Sequence, residues 1–471
     1  MVGLETMLQP GALTIHADAC VPIIHREPTL ALQGWISSEP LPPIHSLAFE
    51  LLAEIMVLAL APHIGPNGRE VKATATDVQR LCQVCSYWRA VALQTARLWI
   101  TTPLPIMTST RGWEVALSPT KMFLEHSAPL PISVYILGAL IQRKNLVEMS
   151  PTMFSVSDRW RTFEMTCHWD IFFDVTFFAQ ISSLENLESL HLSWTKPEAW
   201  RGSELYPFLH APRLRDVTIE VPLATSNNLT LPWGQLTCLS LTYDSPQFCL
   251  DILASCTKLV TAYVDTKQWL ESDSPHNSYV ARSGLLAHLT ELRIPPFLRR
   301  FRLPALKTLD LSVQLSYPVT YEYFVDWLTP ALTFLLARSP DLQCLRLGNG
   351  GWDSVYAEDM PDILCLTPNL TDLSLTAVEV NDGFFQALRY AGPDTTPLVP
   401  KLDTLALIEV GECFEEASFG EMLRSRWWSD QEQLAMVTLP TVSRLKHLRL
   451  WCEGFFYGQP DFEVSLPSLG R

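Results

Sequence analysis

The residues of this chain best spaced for chemistry are Cys82 and Cys85, a Cys-x-x-Cys pair with the spacing of half a zinc or redox site. A closed zinc site needs a second pair of ligands. No other Cys pair at ligand spacing exists; Cys249 and Cys256 stand too far apart. On a helix, two cysteines three apart share a face and pack as small apolar residues. His168, His191, His210 and His447 are scattered along the chain and make no ligand set. His191 and His447 fall at outward strand positions, where an exposed imidazole needs no special role. Gly-rich phosphate loops, a Gly-x-Ser-x-Gly elbow and a His-Glu-x-x-His helix are missing from the sequence. Acid pairs such as Glu415-Glu416 read as solvated loop charge. The chain therefore reads as non-catalytic, with no metal and no cofactor. What remains is recognition chemistry. Arg293, Arg346 and Arg449, with Tyr263 and Trp451, are the residue types that anchor protein interfaces.

Charge narrows the partner. The net charge is −16 over 471 residues. Phosphate contacts need surplus Lys and Arg, so nucleic acid is an unsuitable ligand, and an anionic membrane surface is equally so. The basic cluster Arg299-Arg300-Phe301-Arg302 is too short to reverse this and reads as a solvated turn. The N-terminus lacks a basic start and carries Glu5 and Asp18, unlike a secretory signal. The apolar run from Leu47 to Ala61 contains Glu50 and Glu54 and is too short to span a bilayer. Without a secretion signal the 11 cysteines are expected as reduced thiols, in the cytosol or the nucleus. The glycosylation patterns at Asn228 and Asn369 would then be idle.

The elements that would hold the recognition residues can be read from a recurring phrase, leucine-x-x-leucine-x-leucine. Clear copies start at Leu187, Leu236, Leu306, Leu342, Leu370, Leu402 and Leu445, with looser ones at Trp160, Leu214, Leu259 and Leu289. The period is about 28 residues, in the range of stacked supersecondary units. The last two leucines of each copy are two apart, so they share one face of a strand, and the residue between them points the other way. Amphipathic helices precede several strands; Phe334-Leu-Leu-Ala-Arg-Ser339 running into Pro340-Asp-Leu342 is one example. Pro212, Pro304, Pro340, Pro368 and Pro400 sit just before strands, where proline ends a helix.

Strands joined by helical returns must be parallel. The predicted fold is α/β, a curved parallel sheet with helices on its convex side. The pattern resembles the leucine-rich repeat family over about residues 120 to 455. That family's Asn or Cys after the last leucine is replaced by Thr195, Asp244, Gln314, Gly350 and Val378. Spacing runs from 17 residues (Leu289 to Leu306) to 43 (Leu402 to Leu445), which predicts an irregular solenoid. The residues expected on its concave face are His191, Thr218, Ser240, Tyr263, Arg293, Asp310, Arg346, Ser374 and Arg449. With Trp451, the arginines predict a basic, aromatic stretch there.

Ahead of the repeats lies a helical module. Ser46 can cap a helix from Leu47 to about Leu60. At 100° per residue, Leu47, Leu51, Ile55 and Leu58 form one apolar stripe, and Phe49, Leu52, Met56 and Leu60 form a second beside it. Two stripes on one short helix suggest that one packs inside and the other meets a partner. A loop from Pro62 to about Thr74 leads to Asp77 through Ala92, then to Leu93 through Trp99. Glu50-Leu51-Leu52-Ala53-Glu54-Ile55, Val84-Cys85-Ser86-Tyr87-Trp88-Arg89 and Leu98-Trp99, in that order, resemble an F-box, the three-helix module of substrate receptors in cullin-RING ubiquitin ligases. Family members usually begin Leu-Pro-Pro-Glu; this chain has Leu47-Ala48-Phe49-Glu50.

The expected organisation is a flexible segment at 1–38, an F-box domain at 40–103, a connection at 104–119, the solenoid at 120–455 and a tail at 456–471. The resemblance implies a substrate-recognition subunit. Its F-box would bind a Skp-type adaptor, and through it a cullin, using Leu47, Phe49, Leu51, Leu52, Ile55, Met56, Val84 and Trp88. Its repeats would hold an unknown protein target on His191, Tyr263, Arg293, Arg346, Arg449 and Trp451. The alternative is a leucine-rich repeat scaffold without a ubiquitin role, with the altered Leu47-Ala48-Phe49 start as the discriminating feature.

Overall fold

Leucines two apart on a strand are all buried on one side, so each strand needs cover for that side and neighbours for its backbone. The computed structural model shows both. It describes residues 47–61, 63–64, 70–71, 75–100, 104–106, 113–138, 143–168, 178, 180–195, 206–221, 231–243, 246–265, 284–293, 301–312, 328–348, 358–378, 380–392, 394–410, 414–428, 441–452 and 462–465. The chain divides into two units, Met1–Ala48 and Phe49–Arg471. Leu47 and Ala48 are the described residues of the first; the segment expected to be flexible, 1–38, lies outside the described residues.

The second unit begins with three helices, α1 (Phe49–Ala59), α2 (Ala75–Gln83) and α3 (Ser86–Gln94), closed by a 3-10 turn over Ala96–Trp99. Between α1 and α2 two short strands, β1 (His63–Ile64) and β2 (Glu70–Val71), pair antiparallel. The rest is built on a 14-stranded sheet. Its strands are β3 (Leu104–Ile106), β4 (Ile132–Gly138), β5 (Trp160–His168), β6 (Ser189–Thr195), β7 (Asp216–Val221), β8 (Cys238–Tyr243), β9 (Thr261–Asp265), β11 (Glu291–Arg293), β13 (Thr308–Ser312), β14 (Cys344–Gly348), β15 (Asp372–Thr376), β16 (Thr404–Val410), β17 (His447–Cys452) and β18 (Phe462–Ser465). The short strands β10 (Gly284–Leu285) and β12 (Phe301–Arg302) pair with each other. Neighbours in the large sheet follow chain order and are parallel, save the antiparallel β17–β18 pair. This is an α/β protein with a parallel sheet. Helices α4 (Trp113–His126) and α5 (Arg143–Phe154), and those at Pro246–Ser255, Leu328–Leu336, Met360–Cys365, Asp382–Leu388 and Glu416–Arg426, are the returns between strands.

Register turns the leucine phrase into ladders. Leu309, Leu345, Leu373, Leu405 and Leu448 align across five strands, as do Leu311, Leu347, Leu375, Leu407 and Leu450. From Leu309 to Leu405 the first ladder is buried, and it packs with return-helix side chains such as Leu332, Leu335, Leu336, Phe384 and Phe385. The first leucine of each phrase lies outside the strand, yet Leu214, Leu306, Leu342, Leu370 and Leu402 are all fully buried. Their N–H groups donate to the carbonyls of Ala211, Leu303, Ser339, Thr367 and Val399, three residues earlier. Pro212, Pro304, Pro340, Pro368 and Pro400 each follow that acceptor. The prolines therefore occupy the second position of a β-turn, where a fixed φ near −65° is already correct.

Side chains tie one unit to the next at these turns. The Asn186 amide donates to the Asp158 carbonyl at 2.7 Å, and Asn369 does the same to Pro340 at 3.0 Å. From the following unit, Arg213 and Lys401 donate to the amide oxygens of Asn186 and Asn369. Two arginines reach deeper. Arg159 donates to the Leu130 and Leu124 carbonyls and to the Ser127 hydroxyl at the end of α4. Arg426 is fully buried and donates to the carbonyls of Leu388, Leu398 and Val399. Burial pulls its guanidinium down to about 10, still charged at neutral pH. The end of a helix is the negative pole of its dipole, which suits both cations.

Two boundaries differ from the sequence reading. The supposed connection 104–119 contains β3, paired with β4, and the start of α4. Pro105 is tolerated there because β3 is the sheet's edge strand, where a missing N–H costs nothing. The supposed tail contains β18, paired with β17.

Replacing Arg426 with Met should cost about 3 kcal/mol or more, because three buried carbonyls lose their donor. The same change at the exposed Arg389, paired with Glu421 at 2.8 Å, should cost under about 1 kcal/mol. Urea midpoints of the two variants check the difference.

Candidate functional site

Two surfaces remain open. The first is on the helical module. Leu52, Ala53, Met56 and Leu60 of the α1 segment are buried, together with Val78, Val91, Ala92, Leu98 and Trp99. Trp99 joins the module to the sheet layer: its Nε1–H donates to the Ala92 carbonyl at 2.8 Å and its ring meets Phe123 of α4 edge-on at 4.8 Å. Cys85 caps α3 by accepting the Trp88 N–H on its Sγ at 3.4 Å, and Arg89 Nε donates to the Cys82 carbonyl. Burial pushes the Cys82 thiol up, against the opposing pull of Arg89. A raised thiol is a poor ligand and nucleophile. Both cysteines are thus engaged in packing and capping. Among the described residues no group of three or more His, Cys, Asp or Glu side chains could hold a metal ion.

The opposite side of α1 is bare. Leu51 is 57% exposed, Ile55 45% and Leu58 70%, and Val84, in the turn after α2, is 58% exposed. The module thus keeps one stripe inside and one outside. This corrects the partner-contact set taken from the resemblance. Leu52 and Met56 are core residues of the module, unable to reach a partner in the folded state. Phe49 and Trp88 are half-buried and packed on the same core, and Trp88 Nε1 is enclosed with no acceptor among the described residues. Leu58 belongs in the set and was already on the helical wheel of the outer stripe. Leu47 closes the first unit, before α1 begins.

The second surface is the sheet face away from the leucines. Register puts Glu164, His191, Thr218, Ser240, Tyr263, Arg293, Asp310, Arg346, Ser374, Ala406 and Arg449 in one row across successive strands. Every residue read from the sequence as lying between two leucines is in it. Arg346 and Arg449 are exposed, as are Tyr263 (39%) and Trp451 (44%). The arginines are not adjacent: Ser374 and Ala406 separate Arg346 from Arg449, and Arg346 lies 3.6 Å from the buried Asp310 carboxylate. Trp451 registers against Ile408, beside a bulge where Glu409 takes φ 54°. Ala377, just past the end of the neighbouring β15, takes φ 53° and donates its N–H to the Ile408 carbonyl. Non-glycine residues pay for such conformations, and they gather where a surface is shaped for use.

His191 and Tyr263 lie in a different setting from the arginines. The His191 ring sits between Glu164 (Nδ1 to Oε1, 3.6 Å) and Glu220 (Nε2 to Oε1, 3.8 Å). The sequence reading missed both acids: Glu164 fills the between position of the loose copy at Trp160, which was not carried into the concave-face set, and Glu220 lies two residues beyond that position on its strand.

No protein-family model matches the chain, and no curated protein does. Among solved structures, a crystal structure of a TLR13–ssRNA13 complex is 16% identical, with a TM-score of 0.39 over 64% of this chain and 38% of that one. The chain spans well under half of that protein's length, and a likeness at that score carries no argument here.

The two stripes of α1 should behave oppositely. Leu52→Ala should lower stability by about 2–5 kcal/mol. Leu58→Ala should stay within about 0.5 kcal/mol of the parent. Thermal melts followed by far-UV circular dichroism check both.

Proposed function

We propose that the chain is a non-catalytic substrate receptor. Its helical module, read as an F-box, binds a Skp-type adaptor, and through it a cullin, with Leu51, Ile55, Leu58 and Val84. The parallel sheet and its return helices, read as an irregular leucine-rich repeat solenoid, hold a target protein on the open face. The observation that carries this reading is the outer stripe of α1, three large aliphatic side chains bare on a module whose core is otherwise closed. Covering these and Val84 contributes about 8 kcal/mol gross. Association consumes about half or more of such a sum, so the contact belongs in the micromolar to nanomolar range. The receptor makes no bond itself; it raises the effective concentration of the target beside the transferring enzyme. The free cysteines among the described residues suit a reducing compartment, the cytosol or nucleus.

One observation favours the second reading, a scaffold without a ubiquitin role. Phe49 stands where the resembled family has a proline, and its ring packs on the module's own core. The two readings part at the adaptor.

In a pull-down, the purified chain should capture a Skp-type adaptor. Ile55→Asp with Leu58→Asp should abolish capture while leaving the thermal melt unchanged. A folded parent that captures no adaptor would leave the scaffold reading standing. In the same preparation, Arg346→Glu with Arg449→Glu should retain the adaptor.

A further inference from the structure

We infer that the open face of β5–β9 takes a basic, extended segment of the protein held there, rich in Lys or Arg. This rests on the reading of the sheet face as the target site and names the chemistry of its occupant.

The open positions of these strands can be counted by register. They are Thr162, Glu164 and Thr166; Ser189, His191 and Ser193; Asp216, Thr218 and Glu220; Cys238, Ser240 and Thr242; and Thr261, Tyr263 and Asp265. Four carry a carboxylate, and no Lys or Arg is among them. Among the described residues of these strands and their starts, Arg161 and Arg215 stand before the alternation begins. Arg161 pairs with Glu188 at 2.8 Å, and Arg215 donates to the Pro212 and Leu214 carbonyls. The same face between β13 and β17 is mixed, with Arg346 and Arg449 against Asp310 and Asp372. The face is therefore polarised, and its single-signed half concentrates field over a wide, low-dielectric floor of strand backbone and small side chains.

The spacing of the acids indicates what could meet them. Glu164 and Glu220 lie two strands apart with His191 between, and Glu220 and Asp265 lie two strands apart with Thr242 between. At a strand spacing near 4.8 Å, Glu220 and Asp265 stand about 10 Å apart, and Glu164 and Glu220, offset by two residues along the strand, about 12 Å. No group of described side chains could hold a metal ion, so one small cation does not satisfy the set. An extended peptide rises about 3.3 Å per residue and presents a side chain to one surface every second residue. Long, flexible ammonium and guanidinium side chains on it reach carboxylates about 10–12 Å apart. Tyr135, registered beside Glu164, and Tyr263, two residues from Asp265, stand at the two sides of the patch. Such rings attract the same cations.

The test uses the full chain and a labelled short peptide alternating Lys or Arg with Ser, followed by fluorescence anisotropy at low salt. The parent should bind it, and a peptide of the same length with Glu in place of the cations should not bind. Glu164→Gln with Glu220→Gln should weaken binding about tenfold. Glu125→Gln with Glu416→Gln, on return helices, changes net charge equally and should weaken it less than about twofold. Equal weakening by both pairs, equal binding of both peptides, or no binding of the basic one would overturn the inference. Adaptor capture by the same preparation separates the two ideas. Adaptor bound with the basic peptide ignored sinks this inference alone, whereas peptide bound with the adaptor ignored sinks the ubiquitin-ligase reading alone.

Discussion

A single strand of this chain cannot stand alone. Five to seven residues of β-structure leave a row of N–H and C=O groups on each edge and two leucines bare on one face. In a parallel arrangement the partner for both edges must come from other units, because a chain cannot turn back on itself between parallel neighbours without a crossover. Each unit is therefore completed by its neighbours. The repeating bonds from Glu188 N–H to the Arg161 carbonyl, from Arg215 to Glu188, from Thr371 to Gln343 and from Asp403 to Thr371 are that requirement met just ahead of the strands. The sheet's length, the burial of the leucines and the single file of open-face residues all follow from it.

The same requirement explains the arginines inside. A return helix that ends under the next unit leaves carbonyl groups without intrahelical partners. Where the following turn does not supply enough donors, a long cation from the next unit does. Arg159 serves the end of α4, and Arg426 serves the end of Asp382–Leu388 and the turn at Leu398–Val399. Arginine suits the task because its planar fork offers several donors and stays protonated even when burial opposes the charge. Proline in the turns does the complementary work, presetting the bend so that the buried first leucine arrives in place.

Surfaces are what stacking leaves over. The helical module uses one apolar stripe for its own core and leaves the second, Leu51, Ile55 and Leu58, exposed. The sheet's open face carries whatever the positions between leucines encode, acidic from β5 to β9 and mixed beyond. Beside Trp451, two non-glycine residues of positive φ, Ala377 and Glu409, mark where the backbone of that face departs from regular strand.

The residue types and spacing determined, unaided, the leucine face of each strand, the parallel order, the stripes of α1 and the row of residues between the leucines, because periodicity is a local property of the chain. Tertiary structure alone decided which stripe faces out, since the wheel is symmetric until Val78, Val91 and Leu98 cover one side. It also decided that Leu52 and Met56 are core, that Pro105 sits in an edge strand, and that Phe462–Ser465 returns to pair with β17. Above all it decided which open-face residues are neighbours. Glu164, His191 and Glu220 are separated by more than twenty residues in sequence, and only strand register brings their side chains together.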